Sequence, residues 1–298
     1  MRITKRKSKT TLKEEEKFKL SSTLYVVGTP IGNLNDLSPR AIAVLEDCDF
    51  IAAEDTRVTL KILNHFDIKK SLVSYHEHNK NEMGPRILSR LMAGESCALV
   101  TDAGMPAISD PGEDLVRLCH ENLIKVESVP GPTAFATAMA ISGMPSRRFT
   151  FEGFLSVNKS ERAKHLKEVK NEKRTMIFYE APHKLSQTLR DLYECLGDRD
   201  MAIVREITKI HEEVIRTKLS DAQEKYSKQS LKGEIVLIIQ GAQEEEEEAI
   251  TLEQAVEFAK KFINEGCPPS EAAKRAAKLS GFKKGDIYKI LQEEKDNA

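Results

Sequence analysis

The sequence has no long apolar run. No uninterrupted apolar stretch exceeds five residues, Ile235 to Ile239 among them, whereas a helix crossing a bilayer needs about 20. No transmembrane helix and no membrane partner are expected. Cysteine is sparse: Cys48, Cys97, Cys119, Cys195 and Cys267 are odd in number, scattered, and never spaced C-x-x-C. That excludes a disulfide framework and a zinc site of the usual spacing, and it suits a reducing cytoplasm. An apolar leader is missing as well, because the basic start runs into KEEEKFK at residues 13–19, so no secretory signal is expected.

What is present describes a globular chain of 298 residues, 40% hydrophobic and 31% charged, long enough for two domains or slightly more. The formal net charge of −1 hides local extremes: eight Lys/Arg against three Glu in residues 1–19, and five consecutive Glu at 244–248. A basic arm can touch nucleic acid, and it can equally be a solvated terminus.

Short β-type runs (TLYVVG, FIAAED, SLVSYH, CALVTD, KVESVPG) alternate with amphipathic segments such as RAIAVLEDC, which predicts βα units around a largely parallel sheet. A second series (RFTFEGFL, TMIFYEA, MAIVREI, HEEVIRTKL, GEIVLIIQGA) has helix patterns only at 159–170, 182–196 and 221–229, and fewer crossovers predict a mixed sheet. The expected organisation is a basic flexible tail at 1–20, α/β domains at 21–145 and 146–242, an acidic linker at 243–250 and a three-helix unit at 251–298. In that last unit Thr251 and Gln254 have capping-box spacing, Ser270 is a candidate cap, and Gly281 a stop. Its helix-turn-helix look admits nucleic-acid contact through Lys274, Arg275, Lys278, Lys283 and Lys284, or plain packing.

Parallel sheets bind ligands at the carboxyl ends of their strands, and four loops there are unusual. The first, TLYVVGTPIGNLNDLSPRAI, carries Gly28 and Gly32 in G-x-x-x-G spacing rather than the dinucleotide fingerprint G-x-G-x-x-G. Glu54 and Asp55 stand where a ribose-binding carboxylate would, so spacing alone leaves a nicotinamide enzyme open. Ser38-Pro39 marks the helix start about ten residues after Gly28, too wide a loop for a pyrophosphate grip. The second loop is VTDAGMPAISDPGEDL, the third VPGPTAFATAMAISG, the fourth FYEAPHKL. Together they describe a cleft lined by backbone, apolar and aromatic groups, suited to a zwitterionic sulfonium such as S-adenosylmethionine. Turn-rich connection and helix packing are the plain alternatives for each loop alone.

In order along residues 21–242, VVGTPIGNLNDLSPRA, AAEDTR, TDAGMPAISDPG, VPGPTA with SGMP, FYEAPHKL and VREITKIHEEV resemble the tetrapyrrole-methylase superfamily, specifically its ribosomal branch, the bacterial 16S rRNA (cytidine-2′-O)-methyltransferases. The resemblance implies an α/β fold of the class III S-adenosylmethionine-dependent type with two α/β domains, a C-terminal helix-turn-helix-like unit, and usually a homodimer. It implies S-adenosylmethionine as cofactor and 16S rRNA within the small ribosomal subunit as partner, methylated on a decoding-region cytidine ribose. Carried over by position, Ile31, Met105 and Ile108 line the cofactor and Thr133 and Ala134 hydrogen-bond it. Asp102, Tyr179, Glu206 and Gly233 complete the cofactor set. Porphyrinoid relatives carry Gly-Asp-Pro where this chain has Gly104-Met105-Pro106, which argues against a tetrapyrrole substrate.

Methyl transfer is an in-line displacement whose first demand is positioning, and a base or cation near a ribose hydroxyl adds to it. Cleft-facing candidates are Glu54, Asp55, Arg57, Asp102, Glu180, His183, Lys184 and Arg205. Of these Asp55 and Arg57 are assigned to the substrate side, and Glu180 or Lys184 to the proton. Asp55 can alternatively cap a helix starting at Thr56, and Glu180 and Lys184 can simply pair with each other. His76 and His78 lack a third ligand at a readable spacing, so no metal is expected. Arg147 and Arg148 join the tail and the last helices as basic candidates for RNA. A small-molecule methyltransferase and a non-catalytic RNA-binding module are the rival readings.

Overall fold

The computed structural model describes residues 22–243 and 250–296. The basic tail and most of the acidic linker lie outside the described residues. The chain divides into two compact units, Met1–Ala242 and Gln243–Ala298.

The first unit opens with strands and helices in alternation: β1 (Thr23–Val27), α1 (Pro39–Asp47), β2 (Phe50–Ala53), α2 (Thr56–His65), β3 (Ser71–Ser74), α3 (Lys80–Met92), β4 (Cys97–Val100), α4 (Gly112–Glu121), β5 (Lys125–Val129) and α5 (Ala134–Ser142). The five strands pair in parallel in the order β3-β2-β4-β1-β5. Alternate side chains feed two cores: Tyr25, Val27, Ile51, Ala53, Ala98 and Val100 pack under α1 and α2, while Leu24, Phe50, Ala52, Cys97 and Leu99 pack under α3 and α4. Burial on both faces is why these strands read as continuous apolar runs. Ser38 caps α1 by accepting from the Ala41 amide at 3.1 Å, with Pro39 at the first helical position.

A second sheet follows from β6 (Phe149–Phe154), α6 (Lys159–Val169), β7 (Thr175–Glu180), α7 (Leu185–Leu196), β8 (Asp200–Arg205), β9 (Glu213–Lys218), α8 (Leu219–Lys228) and β10 (Ile235–Ile239). Its order is β6-β7-β10-β8-β9, with only β6 and β7 parallel. The sheet is mixed, as the scarcity of helices predicts. α7 is preceded by a 3-10 turn, Pro182–Lys184, and α8 begins two residues before the expected Asp221. One face packs on α6, α7 and α8 through Leu166, Leu185, Leu189, Leu192 and Ala222.

The other face is covered by α5, which belongs in sequence to the first sheet. Ala138 and Met139 meet Ile177, Ala202, Val204, Val236 and Ile238, and Ile31 of the first loop joins the same cluster. The small residues of AFATAMAIS let this helix lie close on the strands. The helix thereby ties the two sheets into one unit.

In the second unit α9 (Leu252–Asn264), α10 (Pro269–Ser280) and α11 (Lys284–Asp296) surround a core of Ala255, Ala259, Ala273, Ala276 and Ile287. The capping box is present: Thr251 Oγ1 accepts from the Gln254 amide at 3.2 Å and Gln254 Oε1 accepts from the Thr251 amide at 2.8 Å. Gly281 ends α10 in the left-handed region. Ser270 does not cap α10. The helix starts earlier, with Pro268 at the cap and Pro269 at the first helical position, because proline's fixed φ suits that place; the Ser270 hydroxyl instead accepts from Lys284 Nζ at 2.9 Å.

The seat of α5 can be tested by volume. Ala138 is fully buried, so Ala138→Leu should overpack the contact with the second sheet and cost about 1–3 kcal/mol, read as a lower Tm. Ala140→Leu, on the exposed side of the same helix, should leave Tm nearly unchanged.

Candidate active site

Three loops of the first sheet are held together by backbone. Thr29 and Gly104 form an isolated antiparallel bridge, their amides donating to each other's carbonyls at 2.9 and 3.2 Å. The loop after β1 is thereby fixed to the loop after β4. It is also fixed to the loop after β5: a Cβ on Gly28 would sit 2.6 Å from the Gly131 Cα, and one on Gly131 would sit 2.8 Å from the Gly28 backbone. Only two glycines allow that approach.

The loops after β2 and β4 are laced by carboxylates. Glu54 Oε2 accepts from the Thr101 hydroxyl at 2.5 Å and the Asp102 amide at 3.3 Å, and Asp102 Oδ1 accepts from the Asp55 amide at 3.0 Å. Asp110 Oδ1 accepts from the amides of Ala107 and Gly112 at 2.9 and 2.8 Å, so it serves the start of α4 although Pro111 occupies the cap. Ala107 and Ser109 adopt φ of 65° and 64° in this loop, a left-handed conformation that costs energy outside glycine.

These loops and the second sheet enclose a cavity of about 420 Å³. Of the expected cofactor residues, Ile31, Asp102, Met105, Ile108, Thr133, Ala134 and Tyr179 line it together, and Glu54 and Glu180 face it too. Glu206 and Gly233 are not among its lining residues; their neighbours Ile207 and Glu234 are. Glu206 instead lies over Gly233, where φ is +89° and a Cβ would fall 2.3 Å from its Oε1, and that oxygen accepts from the Glu234 amide at 3.2 Å and from Lys209 Nζ at 3.1 Å. The pair packs beside Ile207 and Glu234, which line the cavity.

Phe154, Ile207, Glu234, Ile235 and Val236 also line the cavity, and they lie outside the four loops that the sequence singles out. For Phe154 a signal existed: Gly153 inside a strand pattern suggests a bulge, and the β6–β7 register does shift between Phe151 and Gly153. Phe154 is 58% exposed and its ring lies 5.4 Å from that of Tyr179. The Tyr179 hydroxyl accepts from the Phe135 amide at 3.1 Å, which fills one donor at the start of α5; burial pushes its pKa up.

Among the described residues five carboxylates line the cavity (Glu54, Asp102, Asp110, Glu180 and Glu234) and no Lys or Arg does. Burial, and then the neighbouring Glu54 charge, hold the Asp102 carboxyl above its ordinary pKa; burial does the same for Asp110. Such a lining repels phosphates and suits a ligand that carries positive charge and apolar surface.

Of the remaining candidates Glu180 lines the cavity, and Asp55, Arg57, His183, Lys184 and Arg205 are not among its lining residues. Asp55 caps α2, its Oδ1 accepting from the Arg57 amide at 2.8 Å, and forms a bidentate pair with the Arg57 guanidinium, 2.6 Å at closest. The guanidinium, then the Arg57 amide, lower the Asp55 pKa to about 2, while the Arg57 side chain is 86% exposed. Glu180 is buried, accepts from the Ala181 amide at 2.7 Å and from the Thr188 hydroxyl, and is not paired with Lys184. Lys184 is on the 3-10 turn, facing a groove between α6 and α7. Arg205 is tied to the Lys232 carbonyl and Glu213; His183, Arg147 and Arg148 are exposed. The His76 and His78 rings are 6.0 Å apart, and among the described residues no cluster of three or more potential metal ligands occurs.

Residues 23–223 match the family model for Tetrapyrrole (Corrin/Porphyrin) Methylases. The chain belongs to the tetrapyrrole methylase family. Over 275 residues it is 47% identical to the ribosomal RNA small subunit methyltransferase I of Halalkalibacterium halodurans, spanning 91% of this chain and 95% of that one. It is 45% identical over 269 residues to the same-named protein of Xylella fastidiosa, spanning 89% and 97%. Among solved structures, a uroporphyrin-III C-methyltransferase from Thermus thermophilus complexed with S-adenyl homocysteine superposes with TM-score 0.52 at 17% identity, covering 73% of this chain and 97% of that one. That last likeness speaks for the fold, two sheets in the tetrapyrrole methylase arrangement.

The glycine contact gives a direct test of the loop frame. Gly131→Ala places a methyl against the Gly28 backbone, so a loss on the order of 1–3 kcal/mol is expected. Unchanged thermal unfolding would mean the loops part freely.

Proposed function

We propose that the protein is an S-adenosylmethionine-dependent methyltransferase acting on the ribose 2′-oxygen of a decoding-region cytidine of 16S rRNA, within the small ribosomal subunit. The observation that carries this reading is the near full-length identity of 47% to a protein named ribosomal RNA small subunit methyltransferase I. From the family resemblance we also infer a homodimer working in the cytoplasm; no described helix is long and apolar enough to cross a membrane.

The cavity fits the cofactor by the chemistry of its lining. Ile31, Met105, Ile108 and Tyr179 offer apolar walls, the Thr133 and Ala134 amides at the start of α5 offer donors for a carboxylate, and Asp102 offers negative charge to a cation. Glu206, packed on Gly233, bonds the amide of the lining residue Glu234. When bound, S-adenosylmethionine supplies an electrophilic methyl on a positively charged sulfur.

The chain's own residues must then hold a ribose hydroxyl in line and receive its proton. Glu180 is the favoured acceptor: its carboxylate is buried at the cavity wall and fixed by Ala181 and Thr188. Arg57 is suited to a substrate phosphate, since its guanidinium stands in solvent while Asp55 orients it. Lys184 lies on the groove side and is better placed for RNA than for the proton.

A tetrapyrrole or other small-molecule acceptor is the second reading, favoured only by the family's description; Met105 between Gly104 and Pro106 opposes it. Transfer of a tritiated methyl to small subunits, naked 16S rRNA and porphyrinoids separates the two. The proposed reading predicts label in the rRNA and, for Glu180→Gln, a kcat lower by roughly 10²-fold or more with S-adenosylmethionine affinity retained. Label in a porphyrinoid alone, or an undiminished kcat, contradicts it.

A further inference from the structure

A groove of about 860 Å³ lies on the first unit between α6 and α7. Its two walls are helical stripes. Lys159, Ala163, Leu166, Lys167 and Lys170 recur on one side of α6, and Lys184, Gln187, Thr188, Asp191 and Cys195 run along the 3-10 turn and α7, spacings that place each set on a single face. From Lys159 to Lys170 the α6 wall is roughly 16 Å long.

The charges in it are unequal. Asp191 is already engaged, by Arg162 Nε at 2.5 Å and Gln187 Nε2 at 2.6 Å, and Glu194 is the other acid of the lining. Against it stand Lys159, Lys167, Lys170 and Lys184, for none of which an ion pair is seen among the described residues. The floor and entrance are apolar, with Leu166 below and Val157, 78% exposed, at the entrance.

The groove shares a wall with the cavity. Arg162 Nη2 donates to Thr188 Oγ1 at 2.8 Å, and the Thr188 hydroxyl in turn donates to Glu180, which faces the cavity. On the cavity side the bulge of β6 presents Phe154, largely exposed. A basic track thus leads to an aromatic platform beside a carboxylate, the combination that holds a single strand by its phosphates and stacks one base.

We propose that the groove between α6 and α7 seats the RNA strand flanking the target nucleotide, with Lys159, Lys167 and Lys170 on its phosphates and Phe154 stacking the base delivered to the cavity. This rests on the reading of the protein as an RNA methyltransferase. The cavity lining, with no Lys or Arg among the described residues, gives the phosphates no purchase inside; the groove provides it next door.

The test compares wild type with the triple variants Lys159→Ala/Lys167→Ala/Lys170→Ala and Lys159→Arg/Lys167→Arg/Lys170→Arg, binding a fluorescent 16S rRNA fragment spanning the decoding region over a range of KCl. Loss of three phosphate contacts should flatten the slope of log affinity against log salt by up to about 2; the arginine variant should keep the wild-type slope. Phe154→Ala should raise KM by about ten-fold, and Phe154→Trp should not. S-adenosylmethionine affinity and Tm, measured alongside, should be unmoved by the lysine changes. An unchanged slope overturns the proposal, as does loss of self-association in the alanine variant with RNA affinity intact, which would make the groove a contact between copies of the chain. RNA that binds with the wild-type slope but accepts no methyl would sink the methyl-transfer reading and leave the groove standing.

Discussion

Two glycine backbones in contact, Gly28 against Gly131, set the geometry on which the rest depends. They bring the loops after β1 and β5 together, and the Thr29–Gly104 bridge brings in the loop after β4. With three loops locked by main chain, Ile31 is fixed in the cluster that α5 makes with the second sheet. The cavity is therefore walled by residues of both sheets. The wide first loop, which the sequence separates from a phosphate-gripping turn by about ten residues, is wide because it spans from one sheet to the other.

The second constraint is electrical. Burial, and then the neighbouring Glu54 charge, hold Asp102 above its ordinary pKa, and burial does the same for Asp110. A carboxyl raised in the folded state works against stability at neutral pH, and that penalty is relieved as pH falls through its folded pKa. A cation bound beside it offsets the same penalty while the group stays ionised. Asp55 has the opposite sign: lowered to about 2, it favours the folded state above its unfolded value near 3.9, and this is lost as pH falls through 2.

The fold was legible where burial is two-sided or a cap is local. FIAA and CALV read as strands because both faces are covered, and Ser38-Pro39 and Thr251 with Gln254 announce their helices through bonds made within four residues. Much of the cavity lining was legible too, through the family resemblance, which carries Met105, Ile108 and Thr133 over on loops at strand ends and Tyr179 at the end of β7. What lay hidden was long-range. Nothing near Tyr179 in sequence says that its hydroxyl will meet Phe135, nor that Glu180 will take Thr188 instead of Lys184. Glu206 and Gly233 pack on each other across a turn, so their neighbours face the cavity in their place. The α6–α7 groove needed two helices set side by side, which periodicity within either one cannot announce.

The central proposal is that a carboxylate-lined cavity, without Lys or Arg among the described residues of its lining, selects a positively charged nucleoside. Calorimetric titration of the protein with S-adenosylmethionine, with its neutral product S-adenosylhomocysteine and with NAD tests it most directly, repeated for Asp102→Asn and at falling pH. The account predicts that NAD fails to bind, that affinity for the cation weakens as Asp102 is protonated or replaced, and that affinity for the neutral product changes much less. Equal loss for both nucleosides, or tight binding of the dinucleotide, would contradict it.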